Sequence, residues 1–286
     1  MIKVSELGYA YPDGREVLRG VSFEVAEGAR VGLVGENGSG KTTLARIVCG
    51  LLKPTAGSVT VDGLYAADGA QVYEVRRRVG LVFQDPEQQI IETTVEREIG
   101  FGPRNLGLEP DEVRNRVENA LGLFGIEHLR KRPCHLLSAG EKQLVSVASI
   151  YTMKPGYIVL DEPTALLDPG ARRVLLRSLD ALRGEIGVGT LFISMRLEDA
   201  WLCDEVMFLK EGRVEFAGGR DELLLHLREA GVPLHGLGLV ASEAQARVEK
   251  LANVSDCCPE LTPQCITEAL AGGPGGGRGR AGGNWG

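Results

Sequence analysis

Eight residues constrain this chain more than any others. Gly35-Glu36-Asn37-Gly38-Ser39-Gly40-Lys41-Thr42 matches the pattern G-x-x-x-x-G-K-[S/T]. Arg30–Val34 before it is a short apolar run that reads as a buried strand. Thr42–Leu52 after it has helical spacing and is stopped by Pro54. A glycine-rich turn between a strand and a helix lets successive N–H groups point inward as an anion nest. The helix N-terminus adds partial positive charge at the same place. Lys41 is then expected to reach the outer phosphates of a nucleotide, with Thr43 completing the cradle. The Thr42 hydroxyl is expected to bind Mg²⁺.

Such a loop needs a carboxylate downstream. Tyr157-Ile158-Val159-Leu160-Asp161-Glu162 supplies one, as an apolar strand ending in two acids. Asp161 falls where a strand end faces the phosphates and is the expected metal carboxylate. Glu162 is placed to polarise an attacking water.

Apolar segments alternate with punctuation along most of the chain. Ile2–Leu7, Val21–Val25, Ser58–Val61, Val79–Phe83, Thr190–Ser194, Val206–Leu209 and Arg213–Phe216 read as further strands. Glu109–Phe124, Ala139–Thr152 and Ala171–Arg183 read as helices, and Asp221–Ala230 as a short amphipathic one. Strands gather at both ends and helices in the middle, from about Asp85 to Met153. The pattern implies an α/β core interrupted by a helical insertion. The last 15 residues, Gly272 to Gly286, contain nine glycines and read as a flexible tail.

The balance of 32 basic and 39 acidic residues gives a net charge of −7, which argues against nucleic acid as a partner. With 43% hydrophobic and 25% charged residues, the chain can build a core. No apolar run approaches the ~18–20 residues that span a bilayer. The expected location is the cytosol, or the cytosolic face of a membrane. Cys49, Cys134 and Cys203 are scattered and are expected to be free thiols. Cys257, Cys258 and Cys265 cluster, but without the paired spacing of a metal site.

Between the two phosphate-site motifs lies Leu137-Ser138-Ala139-Gly140-Glu141-Lys142-Gln143, which resembles the LSGGQ signature of ATP-binding-cassette (ABC) ATPases. Phe83-Gln84-Asp85-Pro86 resembles their Q-loop. Glu162–Pro169 looks like the Walker B end running into the D-loop, and Tyr11 sits where the family has its adenine-stacking aromatic. The stretches FQDPEQQI from Phe83, TVERE from Thr94 and FGPRNL from Phe101 narrow the resemblance to the ATPase subunits of energy-coupling factor (ECF) transporters.

That resemblance implies a P-loop NTPase (RecA-like) core with an antiparallel β subdomain and an inserted α-helical subdomain, about 86–153, within a domain spanning 1–230. Residues 231–271 would form a C-terminal extension, and 272–286 the tail. It also implies ATP and Mg²⁺ as ligands, with Gln84 at the metal. Ser138, Ala139, Gly140 and Glu141 would face the ATP of a second ATPase subunit, and Asp168 would lie across the same interface. Further implied partners are a transmembrane coupling protein and a separate substrate-binding membrane subunit. The implied cargo is a vitamin or a transition-metal ion such as cobalt or nickel.

Three positions depart from the family pattern. Ala139 and Glu141 replace a signature glycine and glutamine, and Glu141 is expected to add an unfavourable charge near a phosphate. Leu144 stands where an arginine is common. Most consequential is Met195, which follows strand Thr190–Ser194 where the family has its switch histidine; Leu197-Glu198-Asp199-Ala200 fixes that register. A thioether cannot donate a hydrogen bond. Slow hydrolysis at this chain's own site is therefore expected. Pairing with a different, fully active ATPase subunit is favoured over a homodimer. The alternative is a nucleotide-binding regulatory subunit that leaves turnover to its partner.

Overall fold

The computed structural model describes residues 1–196, 199, 202–219, 222, 223 and 226, without the side chains of residues 183–186. Met1–Leu223 forms one compact unit. The helix expected over Asp221–Ala230 lies almost wholly outside the described residues. The C-terminal extension, the glycine-rich tail and the Cys257/Cys258/Cys265 cluster lie outside them altogether.

Two sheets frame the unit. The smaller is antiparallel, in the order β2-β1-β4-β5, from β1 (Ile2–Ala10), β2 (Glu16–Val25), β4 (Ala56–Val61) and β5 (Leu64–Tyr65). Its first strand buries near-alternate residues, Ile2, Val4, Leu7 and Tyr9, as a strand with one covered face should. The larger sheet runs β10-β9-β3-β8-β7-β6, from β3 (Arg30–Gly35), β6 (Val79–Val82), β7 (Tyr157–Asp161), β8 (Gly189–Ser194), β9 (Glu205–Lys210) and β10 (Arg213–Gly218). All its pairings are parallel except β9 with β10. Every residue of β3 and of β7 is buried, the pattern of central parallel strands covered on both faces.

Helix α1 (Lys41–Val48) buries Leu44, Ala45, Ile47 and Val48 in the same apolar cluster that receives Ile2, Leu7 and Val61 from the small sheet and Leu33, Val159 and Ile193 from the large one. One core therefore holds the phosphate-loop helix between both sheets. The helix is shorter than the sequence suggests. It ends at Val48, because Gly50 at φ +65° carries the chain out through bonds from Gly50 and Leu51 to Ile47 and Arg46. A helix missed by periodicity, α2 (Val72–Arg78), follows β5 and buries only Val75.

Between β6 and β7 come α3 (Val95–Asn105), α4 (Pro110–Phe124) and α5 (Ala139–Tyr151), which pack on one another. α4 starts with Pro110 and ends at Gly125 in the left-handed region. α6 (Pro169–Ile186) then leads to β8. Cys49, Cys134 and Cys203 are buried. Among the described residues no helix is long and apolar enough to cross a membrane.

Candidate functional site

The glycine-rich turn joins the end of β3 to the start of α1, and its backbone requires glycine. Gly38 and Gly40 have φ +78° and +109°. A Cβ on Gly40 would also lie 2.8 Å from Leu18 and 3.0 Å from the Val17 carbonyl. Lys41 is the first residue of α1 and is buried. Its Nζ donates to the carbonyls of Gly35 (2.9 Å) and Glu36 (2.8 Å) and lies 3.8 Å from Glu162 Oε1. Burial lowers its pKa, with the nearby carboxylates of Glu162 and Asp161 opposing the fall. The ammonium is thus held over the loop by backbone oxygens, with its charge poorly hydrated.

The two acids come from consecutive positions, yet each reaches a different partner. Asp161 closes β7. Glu162 then takes φ +48°, a left-handed conformation uncommon for a residue with a Cβ, and its N–H donates to the Ile193 carbonyl of the neighbouring strand (2.9 Å). Asp161 Oδ1 accepts from the Thr42 hydroxyl at 3.3 Å, and Glu162 Oε2 accepts from Gln84 Nε2 at 3.1 Å. Both carboxylates are buried, and desolvation raises both pKa values above the ordinary range. Thr42, Asp161 and Gln84 are hard oxygen donors, the set that suits Mg²⁺. Arg46 and Lys41 oppose the shift at Asp161, and Lys41 opposes it at Glu162; a divalent cation bound there would further favour both ionised carboxylates.

Lys41, Thr42, Gln84 and Glu162 line an open cleft of about 240 Å³ together with Tyr11, Arg15, Val17, Asn37, Gly38, Gly40 and Thr43. Gly35, Glu36, Ser39 and Asp161 are not on its surface, and Gly35, Ser39 and Asp161 are buried. Tyr11 stands at the rim, its ring edge-on to Tyr9 with centroids 5.0 Å apart and its hydroxyl 3.1 Å from Thr43 Oγ1. The Arg15 guanidinium covers the Tyr11 ring at 5.0 Å. Gln84 enters from the segment after β6, which is tied to α5. Gln89 accepts from Phe83 N (3.1 Å) and donates to the Ser146 carbonyl (2.9 Å), and Glu87 pairs with Lys142 at 2.5 Å.

The signature segment is absent from that cleft. Ser138 caps α5, its Oγ accepting from Glu141 N while the Glu141 carboxylate accepts from Ser138 N at 2.7 Å, a reciprocal capping box. Arg132 pairs with the same carboxylate at 3.1 Å. These bonds hold the Glu141 pKa below the usual range. Glu141 thus has a local structural role beside the charge expected of it near a phosphate. Its charge is used to start the helix and is compensated by Arg132. Ala139 is the first helical residue and is exposed, with no positive φ to strain it. Gly140 cannot carry a side chain, because a Cβ would lie 2.6 Å from the Ala171 Cβ on α6. Leu144 is buried, so this face of the helix packs rather than presenting a cation. Asp168 caps α6 by accepting from Gly170 N and Ala171 N.

Met195 directly follows β8 and is half-buried. The strand end beside it is fixed by Asp199, which is fully buried. Asp199 accepts from Ser194 Oγ (2.6 Å), Thr164 Oγ1 (2.9 Å) and Arg172 (2.5 Å).

The ABC transporter family profile matches residues 18–165, just over half of the chain. The chain belongs to the ABC transporter family. Within the family its relatives are ATP-binding subunits. A cobalt import ATP-binding protein CbiO from Syntrophus aciditrophicus (strain SB) is 43% identical, over 85% of this chain and 86% of its own length. An energy-coupling factor transporter ATP-binding protein EcfA1 from Clostridium perfringens (strain 13 / Type A) is 39% identical over 76% and 79%. The structure of cbiO1 from Clostridium perfringens, described as part of the ABC transporter complex cbiONQ, aligns with a TM-score of 0.73 at 35% identity. It covers 82% of this chain and 95% of that one. The resemblance to ECF ATPases and the P-loop ABC ATPase fold are both correct.

The cassette also contains residues that motif reading passed over. Arg15 and Val17 line the cleft, and nothing in their spacing announces it; only the turn that returns β2 beside Tyr11 brings them there. Asp199 served in the sequence only to fix a register. A carboxylate five residues after a strand-end serine was the available signal.

Proposed function

We propose that this chain is the ATP-binding subunit of an ECF-type importer, on the cytoplasmic face of the membrane, coupling ATP binding and hydrolysis to uptake of a transition-metal ion or a vitamin. The observation that carries the reading is the convergence of Lys41, Thr42, Gln84 and Glu162 on one cleft that Tyr11 also lines, with Asp161 buried behind it on the Thr42 hydroxyl. Lys41 and the loop amides from Gly35 to Thr43 hold the phosphates, Tyr11 stacks on the base, and Thr42, Asp161 and Gln84 hold Mg²⁺. Glu162 and Gln84 position the attacking water. Mg²⁺ bound there would neutralise phosphate charge. The cobalt-import name of one relative, and the complex named for a solved neighbour, support the cargo class and a membrane partner. That partner comprises a transmembrane coupling subunit and a substrate-binding subunit.

Ser138, Ala139, Gly140, Glu141 and Asp168 serve a second ATPase subunit. None of them lines this chain's own cleft, and Ser138, Ala139 and Asp168 are exposed. A non-identical partner is favoured by Met195. Own-site hydrolysis lacks one transition-state donor, whose loss typically costs about 10²–10³ in rate. That same residue supports a second reading, a subunit that closes on ATP and leaves turnover to its partner. Met195→His decides between them. A gain of about tenfold or more in ATPase activity at this chain's site supports slow catalysis limited by the missing donor. No gain, together with unchanged transport by a Glu162→Gln complex, supports the regulatory reading.

A further inference from the structure

We propose that Arg15 is a base-binding residue whose guanidinium forms the second wall of a purine slot, opposite Tyr11. The proposal rests on the reading of the cleft as the ATP site. The Tyr11 ring is immobilised on two sides, by its edge contact with Tyr9 and by its hydroxyl on Thr43. The Arg15 guanidinium lies over the ring at 5.0 Å from its centroid and also lines the cleft. The backbone that carries Arg15 is a fixed turn. Tyr11 N donates to the Arg15 carbonyl (3.0 Å), Gly14 N to the Tyr11 carbonyl (2.9 Å) and Arg15 N to Asp13 Oδ1 (3.0 Å). The anchor is therefore rigid, whereas the side chain is long and exposed.

A planar, weakly hydrated guanidinium stacks on a heteroaromatic face as readily as on a phenol ring. When a base enters, Arg15 swings outward by about the thickness of the base and closes on its far side. The ring–cation contact of the empty site becomes a ring–base–cation stack. Stacking reads π area rather than base edges, so it favours purines over pyrimidines. The guanidinium acts on the base and leaves the phosphates to Lys41 and the loop.

The test measures equilibrium binding of MgATP, MgCTP and inorganic tripolyphosphate to the full chain, for wild type, Arg15→Ala, Arg15→Lys and Lys41→Ala. Thermal melts confirm that each variant is folded. Arg15→Ala is expected to weaken MgATP about 5- to 10-fold, MgCTP less, and tripolyphosphate less than about twofold. Arg15→Lys should fall in between. Lys41→Ala should lose all three ligands. Equal weakening of MgATP and tripolyphosphate would make Arg15 a phosphate contact and overturn the proposal, as would unchanged MgATP affinity. If wild type binds neither MgATP nor tripolyphosphate, the reading of the cleft fails first and takes the proposal with it.

Discussion

The P-loop turn and the signature turn of this cassette are finished to different degrees. At the P-loop end Lys41, Asp161 and Glu162 are buried and already partnered within the chain. At the signature end Ser138, Ala139 and Asp168 are exposed, with Leu136 at 58% and Leu166 at 56% beside them in sequence. Both ends start a helix, α1 and α5. The first opens on the cleft lined by Lys41, Thr42 and Glu162, whereas the signature residues are not among the residues that line it. A site completed internally can bind ligand alone. A site whose ordered helix start faces outward is best explained by a surface that arrives with another subunit.

The largest effect that would break this comparison comes from Lys41→Ala. Removing the buried ammonium should weaken MgATP binding by about 10²-fold or more in the isolated chain, since a charge-assisted contact to phosphate is lost in a poorly hydrated site. Isothermal titration measures it directly. Ser138→Arg is its counterpart. It should leave MgATP binding to the isolated chain unchanged, yet lower ATPase activity of the assembled complex by about 10²-fold, by placing a bulky cation where the partner's nucleotide would dock. A Ser138→Arg chain that fails to bind ATP by itself would mean that the two ends are not separable.

How much of this could be read beforehand follows from where local pattern and tertiary contact agree. The P-loop, the Asp161-Glu162 strand end and the long helices were legible because strand, turn and helix signals coincide in a few residues. α3 was not read as a helix from its own pattern, because Gly100, Gly102 and Pro103 fall inside it. Packing decides there. A Cβ on Gly102 would strike Met153, and one on Gly100 would crowd Arg104 and Val117, so glycine is what lets α3 approach α4 and the end of α5. α2 was hidden by three consecutive arginines, Arg76 to Arg78, which blur any apolar face. The strand β5 did have a signal, Asp62-Gly63, both at positive φ in a two-residue hairpin turn. Glu141 carries a local signal as well, the S-x-x-E capping pattern it forms with Ser138.

A smaller effect tests the cost of assembling the P-loop end. Asp161 and Glu162 have raised pKa values in the folded chain, so between the ordinary carboxylate value and the raised ones the native state binds more protons than the unfolded state. Stability of the nucleotide-free chain therefore falls as pH rises through that window. Asp161→Asn should flatten the fall and stabilise the nucleotide-free chain by roughly 1–2 kcal/mol, while nearly abolishing ATPase activity. A denaturation series across pH checks both. Loss of stability in Asp161→Asn at neutral pH would mean that the Thr42 bond outweighs the desolvation penalty.

The smallest effect belongs to the signature end and has the opposite pH sign. Glu141 is held below its ordinary pKa by Ser138 and Arg132, so its contribution is present above the unfolded value and is lost as pH falls through the folded one. Glu141→Ala should cost about 1 kcal/mol near neutral pH, the usual worth of a helix cap, and progressively less as the solution is acidified. Urea midpoints of wild type and variant should converge at low pH. The same variant should leave MgATP affinity of the isolated chain untouched, because Glu141 shares no contact with the cleft. A pH-independent difference would instead mean that Glu141 stabilises α5 through packing. The exposed signature turn would then owe its order to α6, against which Gly140 is pressed, rather than to the charge that completes its own cap.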